Sequence, residues 1–338
     1  MPTALLTGGT GFVGGHVARA LAAEGWRVRL MARDPGRARG PLLEGLTLDV
    51  VSGDLSDAAG LTRMLEGVDA IVHVAGLVKA RSLDEYRAVN LHGTERLLAA
   101  AGKAAPGALF LNVSSQAAAG PACAGRPVAE GDRARPVSWY GLSKREGEIA
   151  VERSWRGPWV NLRPAVVFGP GDRGLLTYFQ MAAAGWIPLP AGRSRIQMIG
   201  AERAALAIAR AASRREVWGR TSFLCDPEPV RIADLAREIA ALPPRPARVV
   251  RVPNAAVRLL GFSESLFERV TRRSRAFNAD KAREILAGDW LCDGAEVRRA
   301  LDLPEAPPLR QDLRAAWEWY RGAGWLTEPR PRAARMHL

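Results

Sequence analysis

Tyr140 and Lys144 stand four apart in Trp139-Tyr140-Gly141-Leu142-Ser143-Lys144, a spacing that puts a phenol and an ammonium on one face of a helix. A free phenol, with a reference pKa of about 10, is a poor acid at neutral pH, and a nearby cation favours its phenolate and lowers that value. The pair therefore reads as an activated tyrosine that gives or takes a proton. Chance is a weak rival. With four tyrosines and four lysines in 338 residues, an accidental Tyr-x-x-x-Lys arises in about 5% of such chains. The other basic residues are arginines, 48 minus four lysines leaving 44, so a lysine here selects a compact ammonium over a planar fork. The bland alternative is a solvated helix face, and Arg145, Glu146 and Glu148 do look solvated.

A second constellation lies at the N-terminus, where Thr7-Gly8-Gly9-Thr10-Gly11-Phe12-Val13-Gly14 follows the apolar run Thr3-Ala4-Leu5-Leu6. Beyond it Val13, Val17, Ala18, Ala20 and Leu21 recur at helical spacing, and Gly25 closes the helix. A chain with 34 glycines makes three-glycine patterns often. The flanking elements give this one its weight. Strand, glycine turn and helix in that order set free backbone N–H groups and a helix dipole against phosphate, as a dinucleotide pyrophosphate requires. Phosphate grip and activated tyrosine together read as hydride-transfer chemistry.

The elements that must position these groups alternate along the chain. Val28–Met31, Leu48–Val51, Ala70–Ala75, Leu109–Val113 and Val160–Leu162 read as strands, with a helix from Asn90 to Ala101 and a turn at Ser52-Gly53-Asp54. That alternation predicts an α/β doubly wound parallel sheet. From Phe168 the texture changes to Gly- and Pro-rich turns with helices between them and few strands, around a last sheet strand near Ser222-Phe223-Leu224. The expected division is a dinucleotide-binding unit over 1–168, with a returning helix and strand at about 201–225. A smaller, mostly helical C-terminal substrate domain takes 169–200 and 226–329, and a basic tail 330–338.

Composition bounds the rest. At 48% hydrophobic the chain can bury a large core. Cys123, Cys225 and Cys292 lack metal-ligand spacing and read as buried thiols in a reducing cytosol, so no metal is expected. A cytoplasmic protein without a membrane partner is expected, since neither a secretory signal nor a spanning stretch is present. The formal charge of +13 is spread arginine, with one cluster at Arg269, Arg272, Arg273 and Arg275 and a tail from Arg330 to Arg335. Neither is interleaved with aromatics, so nucleic acid is not an expected partner. The field attracts anionic ligands, phosphorylated cofactors included.

These motifs resemble the extended short-chain dehydrogenases/reductases, a class that also holds nucleotide-sugar epimerases, 3β-hydroxysteroid dehydrogenases and dihydroflavonol reductases. The resemblance runs through the glycine turn, Gly53-Asp54-Leu55, Asn90-Leu91-His92-Gly93-Thr94, Ser114-Ser115, Tyr140-x-x-x-Lys144, Arg163-Pro164, Gly169-Pro170-Gly171-Asp172 and Trp319-Tyr320-Arg321. It departs at Met198-Ile199-Gly200-Ala201-Glu202-Arg203, where relatives carry an aspartate on entering the last Rossmann helix. The resemblance implies a Rossmann fold and Ser115, Tyr140 and Lys144 as catalytic residues. Ser114 is the rival for the serine role, because neighbours on a strand point opposite ways. It implies a cofactor set of Gly8, Thr10, Gly11, Phe12, Val13, Gly14, Asp54, Leu55, Ala75, Gly76, Asn90, Tyr140, Lys144, Pro164 and Val167, with Lys144 on the nicotinamide ribose and Asp54 at the adenine.

At the end of the second strand, where NAD-preferring relatives place an acid, the chain has Ala32 and then Arg33. That favours NADP over NAD, with Arg33, and Arg37 in support, reading a 2′-phosphate. Asp34-Pro35-Gly36 reads as a turn. Relatives dimerise through the helices bearing Asn90 and Tyr140. Leu97, Leu98, Ile149 and Val151 suit such a homodimer and suit an internal core equally. Three functions stay open for a small-molecule substrate: an NADP-dependent ketone/alcohol oxidoreductase, a nucleotide-sugar epimerase or dehydratase with tightly held cofactor, and a redox-silent NADP-binding regulatory or assembly protein.

Overall fold

A computed structural model describes residues 1–271 and 277–326. Arg272, Arg273, Arg275 and the 330–338 tail lie outside them, as do the side chains of Arg37 and Arg269. The first half runs β1 (Thr3–Thr7), α1 (Phe12–Ala23), β2 (Arg27–Ala32), β3 (Asp49–Ser52), α2 (Ala58–Met64), β4 (Ala70–His73), α3 (Leu83–Asn90), α4 (His92–Ala104) and β5 (Leu109–Val113). Next come α5 (Trp139–Ser154), β6 (Trp159–Pro164), β7 (Val166–Phe168), α6 (Arg173–Ala183), β8 (Trp186–Pro190), β9 (Arg195–Ile196), β10 (Met198–Gly200) and α7 (Ala201–Ala211). The chain closes with β11 (Arg220–Leu224), β12 (Val230–Arg231), α8 (Ile232–Ala240), β13 (Arg248–Val252), α9 (Asn254–Thr271), α10 (Ala279–Leu286), α11 (Ala295–Ala300) and α12 (Leu309–Gly322).

Seven strands form one parallel sheet in the order β11-β6-β5-β4-β1-β2-β3. The chain builds β2 and β3 to one side of β1, then crosses back to lay β4, β5 and β6 on the other, so the crevice beyond the C-terminal ends of β1 and β4 is the topological switch point where such sheets bind ligands. The sheet is buried on both faces, so its strands are nearly continuous apolar runs such as Leu109-Phe110-Leu111. One face is covered by α1 and α7. The α7 face is almost all alanine (Ala204, Ala205, Ala207, Ala211) around Ile208, which lets it lie close against α1. The other face is covered by α2, α4 and α5 through Leu61, Leu97, Leu98 and Val151. Three of the four positions that suit a dimer seam are thus core of this chain, and Ile149 alone stays partly exposed.

Two expectations need adjusting. Asn90 ends α3 instead of beginning the next helix, because the chain turns at Leu91 and α4 starts at His92. The second half is less purely helical than its texture suggests. Three short strand pairs (β10 with β7, β9 with β12, β8 with β13) bracket α6, α8 and α12 around a core of Phe179, Ile239, Leu313, Trp317 and Tyr320. Cys225 and Cys292 are buried, but Cys123 is exposed, in a turn outside any core.

Candidate active site

The glycine turn is a cradle shaped by what it lacks. Gly8 takes φ +73°, and a Cβ there would stand 2.6 Å from the Ala75 nitrogen. At Gly14 a Cβ would run into the Gly8 carbonyl. Backbone alone can therefore approach a ligand here. Helix α1 begins at Phe12 with Gly11 as N-cap and no side-chain cap. Its first N–H groups remain available to phosphate. Thr10 and Gly11 are exposed, and Val13 half-buried beside them. Arg33 sits at the end of β2, largely exposed, its guanidinium 4.0 Å from the Asp54 carboxylate. Asp34 accepts from the Gly36 N–H at 3.0 Å, closing the turn expected there. Asp54 accepts from Ser56, and those bonds, helped by Arg33, hold its carboxyl below the usual range. The Leu55 side chain is core, packed on Gly93. Pro164 ends β6, and Val167 lies in β7.

Ser115, Tyr140 and Lys144 meet at the C-terminal end of β5. The Ser115 hydroxyl lies beside the Tyr140 phenol and acts to lower its pKa, while accepting from the Ala117 N–H at 3.2 Å. Ser114 is turned away, its hydroxyl donating to the Glu148 carboxylate at 2.5 Å. One turn along α5, the Lys144 ammonium donates to the Val113 carbonyl at 2.7 Å. The electrostatics differ from the sequence expectation. Burial pushes the Tyr140 phenol up to about 12, with Ser115 opposing the rise and Glu284 adding to it. Burial also lowers Lys144 to about 8. Desolvation is the largest effect on the phenol, and the ammonium is aimed at a backbone carbonyl. Behind it His73, wedged between Thr7 (2.7 Å) and Thr94 (3.0 Å), is driven down to about 3 and stays neutral. Asn90 uses its amide to pin the loop after β4, accepting from Leu77 N–H (2.7 Å) and donating to Leu77 O and to Ser143. It thereby sets Gly76 against Lys144.

Residues 4–214, well over half the chain, match the model of the NAD dependent epimerase/dehydratase family. The chain belongs to that family. Among its relatives is ceramide reductase of Caulobacter vibrioides, 35% identical over 328 residues and covering 95% of each chain. The 3β-hydroxysteroid dehydrogenase/Δ5→4-isomerase of Mycobacterium tuberculosis is 28% identical over 258 residues, 70% of this chain and 68% of that one. Among solved structures, a dTDP-glucose 4,6-dehydratase from Streptomyces venezuelae with NAD bound superposes with a TM-score of 0.76 at 21% identity, over 96% of this chain and 98% of that one. That likeness is one of fold.

Several residues that hold this family member's site together are silent in its sequence. Glu148 is fully buried and receives both arms of Arg163 at 2.8 Å, so the solvated reading of it fails. The charge pair lies 15 residues apart in sequence and meets only because α5 packs on β6. Asp280 of α10 accepts from the Trp139 N–H at 2.9 Å and reaches the Tyr140 N–H, while Ser138 caps Gly141 and itself donates to Glu284 at 2.6 Å. The first turn of the tyrosine helix is thus capped partly from a helix some 140 residues downstream. An i,i+4 acidic pair at Asp280 and Glu284 is the only sequence trace, and such pairs are common.

The departure at 198–203 has a structural answer. Asp226, just past β11, places a carboxylate against this segment, accepting from the Gly200 N–H and from Arg203, which also binds Asp312 of α12 at 2.6 Å. Nearby, the Gly169–Asp172 turn is gripped from both halves. His16 of α1 reaches the Pro170 carbonyl at 2.8 Å, and the buried Tyr320 hydroxyl donates to Asp172 O at 2.6 Å.

Proposed function

We propose that the protein is an NADPH-dependent reductase that converts a carbonyl on an apolar, ceramide-like molecule into an alcohol. The observation that carries the reading is the meeting of the Tyr140 phenol, Ser115 and Lys144 at the end of β5, with Lys144 one turn along α5 and fixed on the Val113 carbonyl, in surroundings that keep the phenol protonated. Reducing a C=O bond takes a hydride at carbon and a proton at oxygen. The glycine cradle, Asp54 and Lys144 would hold a nicotinamide dinucleotide, which supplies the hydride when bound. Tyr140 gives its proton to the carbonyl oxygen, and Ser115 donates a hydrogen bond to the same atom. The Lys144 charge favours the phenolate left behind. Ala32 offers no carboxylate to a ribose 2′-hydroxyl, whereas exposed Arg33 suits a 2′-phosphate, which supports NADP. The likeness to ceramide reductase along 95% of both chains supports a lipid substrate. So does Val78, 64% exposed on the loop that Asn90 pins, where Tyr86 packs 5.9 Å from the Tyr140 ring.

The same reading assigns cofactor binding to 1–168 with the 201–225 return, and substrate to the remainder. It also includes a cytoplasmic site of action and a homodimer through α4 and α5, the last resting on family likeness, with only Ile149 of the four apolar positions left partly exposed. The test is NADPH consumption with a ketone-bearing ceramide analogue in micelles, with product chromatography. One alcohol formed per NADPH oxidised is expected. Protein that purifies with NAD retained through gel filtration, and interconverts nucleotide sugars without net cofactor use, overturns the reading in favour of an epimerase.

A further inference from the structure

Helix α9 presents its apolar side to water. The side facing α10 carries Val257 and Gly261, where a Cβ would stand 2.8 Å from the Ala282 Cβ. A surface helix places charge on the opposite side. Here that side carries Ala255, Leu259 (70% exposed) and Phe262 (66% exposed), with exposed Leu260 on its flank. The strand pair leading into it is similar. In β8 and β13, Trp186 lies beside Arg248 and Pro188 beside Val250, and both Trp186 (48%) and Val250 (45%) are exposed.

Basic charge runs through the same stretch of chain. From Ile239 to Ser263 the chain has Arg245, Arg248, Arg251 and Arg258 and no Asp or Glu, the acids of α9, Glu264 and Glu268, coming only in its second half. All four arginines are exposed, and none pairs with a carboxylate among the described residues. We propose that α9 and the β8–β13 edge dock the protein on an anionic lipid bilayer. The leucines and Phe262 lie in the headgroup–acyl boundary, Trp186 at its polar edge and the arginines on lipid phosphates. At 18 residues α9 is about 27 Å long and lies in the plane of the surface. No helix among the described residues is long and apolar enough to cross a membrane. A second copy of the chain is the poorer occupant, because a two-fold interface sets the same four arginines against their own like. The docked surface is one helix from the chemistry, since α9 packs on α10 and α10 caps the Tyr140 helix. That a lipid substrate passes this way rests on the proposed function; the docking itself does not.

The test is sedimentation of the full chain, without substrate, with vesicles of phosphatidylcholine alone or with about one-third phosphatidylglycerol. Binding to the anionic vesicles is expected, weakened about ten-fold or more on neutral vesicles or in high salt. Leu259→Glu with Phe262→Glu is expected to lose about ten-fold or more while keeping its circular dichroism, Tm and NADPH affinity. Arg248→Glu with Arg251→Glu, which leaves α9 untouched, is expected to erase the preference for anionic lipid. Wild-type protein left in the supernatant with both vesicle types overturns the proposal, as does either double variant binding like wild type. So does a dimer in light scattering that the α9 variant splits, which would assign the face to a second copy. None of these readouts depends on turnover, so a failed substrate assignment is distinguished from failed docking.

Discussion

At the scale of single residues, the two serines separate most sharply. Ser115 faces the phenol and Ser114 donates to a buried carboxylate, although they are neighbours. Ser115→Ala is expected to lower turnover with NADPH affinity kept. Ser114→Ala is expected to spare turnover and cost about 1 kcal/mol of stability, from a lost bond to a charged group. Tyr140→Phe keeps the ring and removes the proton, so turnover should fall about 10²-fold or more with folding intact. Full activity in that variant would reject the mechanism. The pH profile tests Lys144. With the phenol near 12, the group that titrates in the working range is the ammonium, lowered to about 8. The charge that supports the phenolate is present below that value and lost above it, so kcat/KM for reduction should fall as pH rises through about 8. Lys144→Met should lose that limb. Arg33→Asp should weaken NADPH and spare or improve NADH, measured by titration calorimetry; an unchanged ratio would sink the 2′-phosphate assignment.

At the scale of elements, the N-terminus of α5 decides most. Asp280→Ala removes the acceptor for the Trp139 and Tyr140 N–H groups and should cost about 1–2 kcal/mol in urea unfolding. Turnover should drop with it, since the first turn carries the phenol, and an unchanged kcat would show that Ser138 caps the turn sufficiently alone. This element also shows where the sequence was legible. Strands β1, β4 and β5 are legible as apolar runs, and the glycine turn and Tyr-x-x-x-Lys are legible as local spacing. Asp280, Glu148 and Asp226 act through contacts made only after the chain closes on itself. A buried carboxylate and a solvated one look alike in sequence, so Glu148 was misread from its charged neighbours. The rise in the Tyr140 pKa was hidden for a related reason: spacing reports the lysine's nearness but not the water that folding removes.

At the scale of the molecule, the glycine cradle and the tyrosine helix are completed by parts of the chain far apart in sequence. The glycine cradle itself is built from β1, α1 and the loop after β4, within the first 77 residues, with Asn90 pinning that loop and α7 backing α1 later. The tyrosine helix waits for Asp280 and Glu284 to arrive from across the chain. A ribosome making this protein would therefore release the glycine turn and its first strands long before the parts that complete the tyrosine helix. Refolding from urea should follow the same order, with NADPH fluorescence returning ahead of turnover. A single rate for both signals would mean that the two halves fold as one unit. If the order holds, the dinucleotide is a folding ligand as well as a reagent: it captures the early sheet and steadies the platform on which α10 later closes.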